Sequence, residues 1–192
     1  MNKSHYALVF VLVGVALLVV SFTGDNTRSD TGAQQRSQTT TQAASPTKTS
    51  ANQESGMQID FAFKDLQDTL RHASEWQGNI LVVNFWATWC TPCRHEIPAF
   101  NNLQKKYAQQ GVQFLGLAYD DKAAIERFMS IIPIDYPVLY GDEEIMDLSM
   151  KYGNIQSILP YTLFVDKQGK VFHIQEGLLS EQATEQILAK AL

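Results

Sequence analysis

The stretch from Ile80 to Pro98 constrains this chain more than any other. Ile80 to Trp86 is rich in β-branched, aliphatic and aromatic residues, with Asn84 its one polar member, and reads as a buried strand. Trp89, Cys90 and Cys93 follow, and then a helix-like pattern begins. A Cys-x-x-Cys where a strand gives way to a helix points to thiol–disulfide chemistry or to a metal. These are the only two cysteines of the chain. A pair three positions apart closes almost no loop, so it adds little stability through chain entropy. As a metal site it would be half complete, with no second cysteine pair and no tight histidine cluster in the sequence. Redox chemistry is the stronger reading.

The rest of the chain divides into three. Tyr6 to Phe22 is almost wholly apolar and uncharged. As a helix, its 17 residues would span about 25 Å, the short end for a bilayer core of about 30 Å. The run is long for a cleaved signal, and Val19 to Ser21 is only a mediocre cleavage site. Residues 1–22 are therefore expected to be an N-terminal membrane anchor, with a signal peptide as the alternative. Lys3 and the amino terminus before the run, against Asp25, Arg28 and Asp30 after it, give a small positive-inside bias by which the rest of the chain is expected outside the cytoplasm. That compartment lets a cysteine pair cycle through a disulfide. Residues 23–56 contain no Val, Ile, Leu, Met, Phe, Trp or Tyr, and read as a flexible polar linker. Its root-mean-square reach is about 30–35 Å.

Residues 57–192 are expected to fold. Ile59 to Phe63 alternates as a short strand, and Asp65 to Glu75 reads as a helix with Leu66, Leu70 and Ala73 on one face. After the strand at 80–86, a helix is expected from Pro92 to Gln110, stopped by Gly111 and bent at Pro98. Val112 to Ala118 reads as a second buried strand, Asp120–Asp121 as the opening of a helix that runs to Met129, Pro137 to Tyr140 as a strand and Asp142 to Tyr152 as a helix. Tyr161 to Val165 and Lys170 to Ile174 flank a turn and form a hairpin. Ser180 caps a last helix. The order implies an α/β fold with a mixed sheet flanked by helices. The net charge of −5 gives no reason to expect nucleic acid as a partner.

Phe85 to Pro98 resembles the active-site segment of the TlpA/ResA family, membrane-anchored thioredoxin-like thiol–disulfide oxidoreductases. Phe114 to Asp120 is similar to the family's next strand, and the segment from there to Leu159 resembles its central insert. Leu159 to Gly169 resembles its cis-proline segment and hairpin, and Gly177 the glycine before the last helix. The resemblance implies a thioredoxin-like fold and a redox-active Cys90–Cys93 pair with no other cofactor and no metal. It makes Cys90 the nucleophile at the helix start, where unpaired N–H groups favour a thiolate. Cys93 would then resolve the mixed disulfide. It places Trp89 partly exposed beside Cys90, and has Thr91 and Pro92 tune the pair. Pro160 would be cis and pack against the cysteines, leaving the Leu159 backbone to pair with an extended substrate. Asn84 stands where thioredoxins proper carry a buried Asp, and Asn is common in this family. Glu96, one turn beyond Cys93, matches a carboxylate near the active site and is expected to shift the cysteine pKa values or move their protons.

The implied partners are protein thiols and disulfides, for example of apocytochrome c or a metallochaperone, and a membrane electron donor. The chain is expected to be monomeric and its direction reducing, since Thr91–Pro92 differs from the Pro-His of strong oxidants. Tyr161 and Ser157 depart from the family's usual residues and bear on partner identity. The alternative is a copper metallochaperone of related fold, which would need His173 to approach the pair; His72 and His95 read as structural or surface residues, as does His173. A peroxidase of related fold lacks its motif here, and a domain with inert cysteines is the remaining reading.

Overall fold

The computed structural model describes residues 56–192. The expected anchor at 1–22 and nearly all of the expected linker at 23–56 lie outside the described residues. Among the described residues no helix is long and apolar enough to cross a membrane.

Seven strands form one mixed sheet: β1 (Ala62–Asp65), β2 (Leu70–His72), β3 (Ile80–Trp86), β4 (Val112–Tyr119), β5 (Val138–Gly141), β6 (Tyr161–Val165) and β7 (Val171–Glu176). Their spatial order is β2-β1-β5-β4-β3-β6-β7. β3, β4 and β5 run parallel, whereas β6 and β7 on one side and β1 and β2 on the other are antiparallel. The helices are α1 (Thr91–Tyr107), α2 (Lys122–Met129), α3 (Glu143–Lys151) and α4 (Glu181–Leu188).

β3 is central and buried along its whole length. Its side chains alternate between two cores. Ile80, Val82 and Trp86 join the core that holds Ile97, Phe100 and Leu103 of α1, while Leu81, Val83 and Phe85 join the core on the α3 face. Asn84 shares the parity of Val82 and Trp86, so a polar residue enters the apolar layer under α1. α1 runs unbroken through Pro98. Gly111 ends the segment after α1 with φ +80°, a left-handed conformation that favours glycine.

The expected helix from Asp65 to Glu75 is wrong. β1 and β2 form a hairpin there, followed by a short 3-10 turn at Ala73–Trp76, and the expected strand at 59–63 is shifted to Ala62–Asp65. The Asp65 carboxylate accepts the N–H groups of Gln67 and Thr69 (2.9 and 3.0 Å), and Asp68 takes a φ of +61°. The Asp65 side chain thus competes with the helix by bonding the backbone of its own turn. The supposed apolar face fails too, because Leu70 is 52% exposed.

Candidate active site

The Cys90 and Cys93 sulfurs form a disulfide with the Cα atoms 5.3 Å apart. Cys90 is the N-cap of α1, and its Sγ accepts the Cys93 N–H at 3.3 Å. Cys93 is fully buried, while Cys90 keeps a small exposed surface. Pro92 is the second helical residue rather than the first; its missing N–H is still one that the helix would leave without an internal partner. Trp89 is 63% exposed and meets Tyr119 edge-on, with centroids 6.4 Å apart. Beside it opens a cleft lined by Tyr119, Asp120, Asp121, Asp142 and Glu143. Asp120, expected only to open the next helix, accepts both the backbone N–H and the hydroxyl of Thr88. It ties the loop before Cys90 to the end of β4.

The Leu159–Pro160 peptide bond is cis. Pro160 is buried, and Leu159 packs against the core that contains both cysteines. In the β3–β6 register Phe85 faces Tyr161, so Pro160 falls opposite Trp86, at the end of β3 from which the cysteine loop departs. The segment before Pro160 is clamped by Asn154, a residue the sequence did not mark. Its amide accepts the Ile158 N–H (2.8 Å) and donates to the Ile158 carbonyl (2.9 Å). Ser157 in this loop has a φ of +52°.

One turn along α1 from Cys93 lies a buried polar group. Glu96 is 1% exposed, on the same face of α1 as Cys93. Its Oε1 accepts an N–H of Asn84 (2.8 Å), and its Oε2 accepts the Leu179 N–H (3.1 Å). The second N–H of the Asn84 amide goes to Thr162 Oγ1 at 3.0 Å. Burial pushes the Glu96 pKa up to about 7; the two hydrogen bonds pull it down but do not offset the loss of water. In register, Gly116 of β4 faces Asn84, and Thr162 of β6 faces Asn84 from the other side. A Cβ on Gly116 would stand 2.9 Å from Trp86 Nε1, so glycine is what admits the indole. Trp86 is core, as expected.

Thr162 and the Leu179 N–H were not legible beforehand. They come from 78 and 83 residues away, and only the strand pairing and the docking of α4 bring them in. His72 and His95 are exposed. His173 lies on β7, edge-on to Phe164 at 5.6 Å. Among the described residues no group of three His, Cys, Asp or Glu could hold a metal ion.

Fold and disulfide together define a class, the thioredoxin-like thiol–disulfide oxidoreductases. A sequence profile described as the AhpC/TSA family matches residues 56–174. The thiol-disulfide oxidoreductase ResA of Geobacillus thermodenitrificans is 31% identical over 130 residues, covering 67% of this chain and 72% of that protein. The thioredoxin-like protein YneN of Bacillus subtilis is 31% identical over 140 residues, covering 71% and 79%. The crystal structure of a thiol:disulfide interchange protein of the thioredoxin family from Chlorobium tepidum aligns with a TM-score of 0.63 at 27% identity, covering 71% of this chain and 96% of that one. The chain belongs to the AhpC/TSA family and, within it, to the ResA-like thiol–disulfide oxidoreductases.

Proposed function

We propose that this chain reduces disulfides of partner proteins outside the cytoplasm, held at a membrane by residues 1–22 and recharged by a membrane electron donor. The observation that carries the reaction is the Cys90–Cys93 pair at the start of α1, with a buried carboxyl group one turn further along the same helix. In the reduced state the Cys90 thiolate, favoured by the helix N-terminus, attacks a partner disulfide. One partner sulfur leaves with the electron pair and takes a proton, and Cys90 is joined to the other. Glu96 as carboxylate accepts the Cys93 thiol proton. The resulting Cys93 thiolate attacks Cys90, releasing the second partner sulfur and closing the Cys90–Cys93 disulfide. Two electrons pass to the partner, and the donor returns them to this chain.

A Glu96 pKa near 7 suits this shuttle, because the group is then neither locked as acid nor as base at neutral pH. The exposed Trp89 and the Leu159 backbone ahead of cis-Pro160 form the partner-facing side. The apolar run from Tyr6 to Phe22 supports the membrane location, and the ResA relatives, named thiol-disulfide oxidoreductases, support thiols and disulfides as the reacting groups. Thr91–Pro92 between the cysteines supports the reducing direction.

The test is a Cys93→Ala chain expressed in its native membrane. Cys90 should hold its partner as a mixed disulfide that dithiothreitol releases and mass spectrometry identifies. Absence of any trapped protein, with Cys90 shown to be reactive, would defeat the exchange reading.

A further inference from the structure

The Asn84 amide is bonded on one side only. Its two N–H groups serve Glu96 and Thr162, while its Oδ1 is buried without a partner. The hydrogen bonds that reach Glu96 are both donated to it, one from this amide and one from the Leu179 backbone. That arrangement fits a carboxylate. A protonated Glu96 presents an O–H, and that O–H would face a donor on either oxygen. The Leu179 N–H is part of the chain and cannot turn away. The Asn84 amide can, by half a turn about its terminal torsion, which has two near-equivalent wells.

We propose that Asn84 is a two-way positioning residue for Glu96, its amide donating to the carboxylate and turning over to accept from the protonated acid. After the turn, Oδ1 takes the place of Nδ2. It accepts from the Glu96 O–H and from the Thr162 hydroxyl, which can give as well as receive a hydrogen bond. The amide keeps two hydrogen bonds in either state, and Glu96 gains or loses its proton without leaving an O–H pressed against an N–H; the turn costs the burial of Nδ2 in the place where Oδ1 has no partner. No covalent bond changes at Asn84 or Thr162. An aspartate at this position would titrate against Glu96, and an apolar residue would serve neither form. An amide answers both.

Few other titratable groups bear on Glu96. On α1 the cysteines are joined and do not titrate. β3 and β6 contribute Asn84 and Thr162, and the segment before α4 the Leu179 N–H. Ahead of β5, Tyr136 is influenced by the Glu96 charge, and burial pushes its pKa so far up that it keeps its proton at neutral pH. His95, next along α1, is exposed. The use of the turn in catalysis rests on the proton shuttle above, but the turn itself does not require exchange.

The test therefore uses the full-length disulfide form in detergent, in which no thiol titrates. In NMR spectra recorded from pH 5 to 9, the Glu96 carboxyl carbon reports its own protonation. The cross-relaxation between the Asn84 amide protons and Thr162 reports the orientation of the amide. That signal should be strong at high pH and fall several-fold at low pH, with the midpoint of Glu96, and should not change with pH in Glu96→Gln. Asn84→Leu adds a second measurement. In the donating orientation the amide pulls the Glu96 pKa down, and in the turned orientation it supports the acid as well, so for a turning amide the two effects offset and its loss leaves the Glu96 midpoint nearly in place. A fixed donor supports only the carboxylate, so its loss raises the Glu96 proton affinity about tenfold or more. An amide signal that stays constant through the Glu96 titration, or a tenfold rise in Asn84→Leu, overturns the proposal. Either result leaves the exchange reaction to be judged by the trapping experiment.

Discussion

Two poorly exposed carboxyl groups in this domain have opposite surroundings. Asp65, at the turn of the first hairpin, accepts the N–H groups of Gln67 and Thr69 and pairs with Arg71 at 3.3 Å. Burial raises its pKa, but those hydrogen bonds and the guanidinium outweigh burial, and the net shift is downward. Glu96, one helical turn beyond Cys93, meets one amide and one backbone N–H and no cation, and burial wins. Asp65 is thus held as a charge and ties a turn together. Glu96 is held close to the point where it changes charge. A saturated carboxylate serves structure, and an under-compensated one serves proton transfer.

The comparison breaks first at Glu96. Glu96→Gln keeps the shape and removes the proton site, so thiol–disulfide exchange at pH 7 should slow by about 10²-fold or more, measured as insulin reduction or as resolution of a mixed disulfide. The equivalent loss at Asp65 should leave that rate unchanged.

Next comes the pH dependence of stability. Glu96 has a folded-state pKa of about 7, above the 4.5 of an ordinary glutamate. Between those values the folded state holds a proton that the unfolded chain has released. The contribution is therefore fully present below about pH 4.5 and is lost as pH rises through 7. The total is about 3 kcal/mol. Denaturant unfolding of the disulfide form at pH 5 and pH 8 should show this loss in the wild type and not in Glu96→Gln.

Asp65 should behave in the reverse sense and more weakly. Asp65→Ala removes both turn hydrogen bonds and should lower the unfolding midpoint at pH 7. Because the folded pKa is depressed, that difference is present above the ordinary carboxylate range and closes as pH falls through the folded value. Equal destabilisation at pH 7 and in acid would remove the charge from the explanation. The smallest effect on stability belongs to Trp89→Ala, which touches neither carboxyl group. With the side chain 63% exposed, unfolding should shift by less than about 0.5 kcal/mol, while the Michaelis constant for a disulfide-containing peptide rises.

Much of the scaffold was legible from local pattern. The run from Ile80 to Trp86, the cysteine pair as the helix cap, the hairpin after Pro160 and the Ser180 cap all appear where side-chain periodicity and capping chemistry put them. These features depend on neighbours a few residues apart. The Asp65–Glu75 segment was misread because its apolar spacing imitates a helix, whereas the side chain of Asp65 had already claimed the backbone of the turn. The site was legible only in part. The spacing of Cys93 and Glu96 sets them on one helix face, but spacing alone leaves that face solvated or buried.

By itself, then, the sequence determined the strand, the redox pair, the helix that follows and the family to which they belong. Tertiary structure alone decided that Glu96 lies in the core, that Thr162 and Leu179 arrive beside Asn84 and Glu96, and that the carboxyl titrates near neutrality. The reason is physical. Propensity and capping act over one or two turns of chain, but desolvation is set by everything packed around a group, and here that packing comes from strands and helices far apart in sequence.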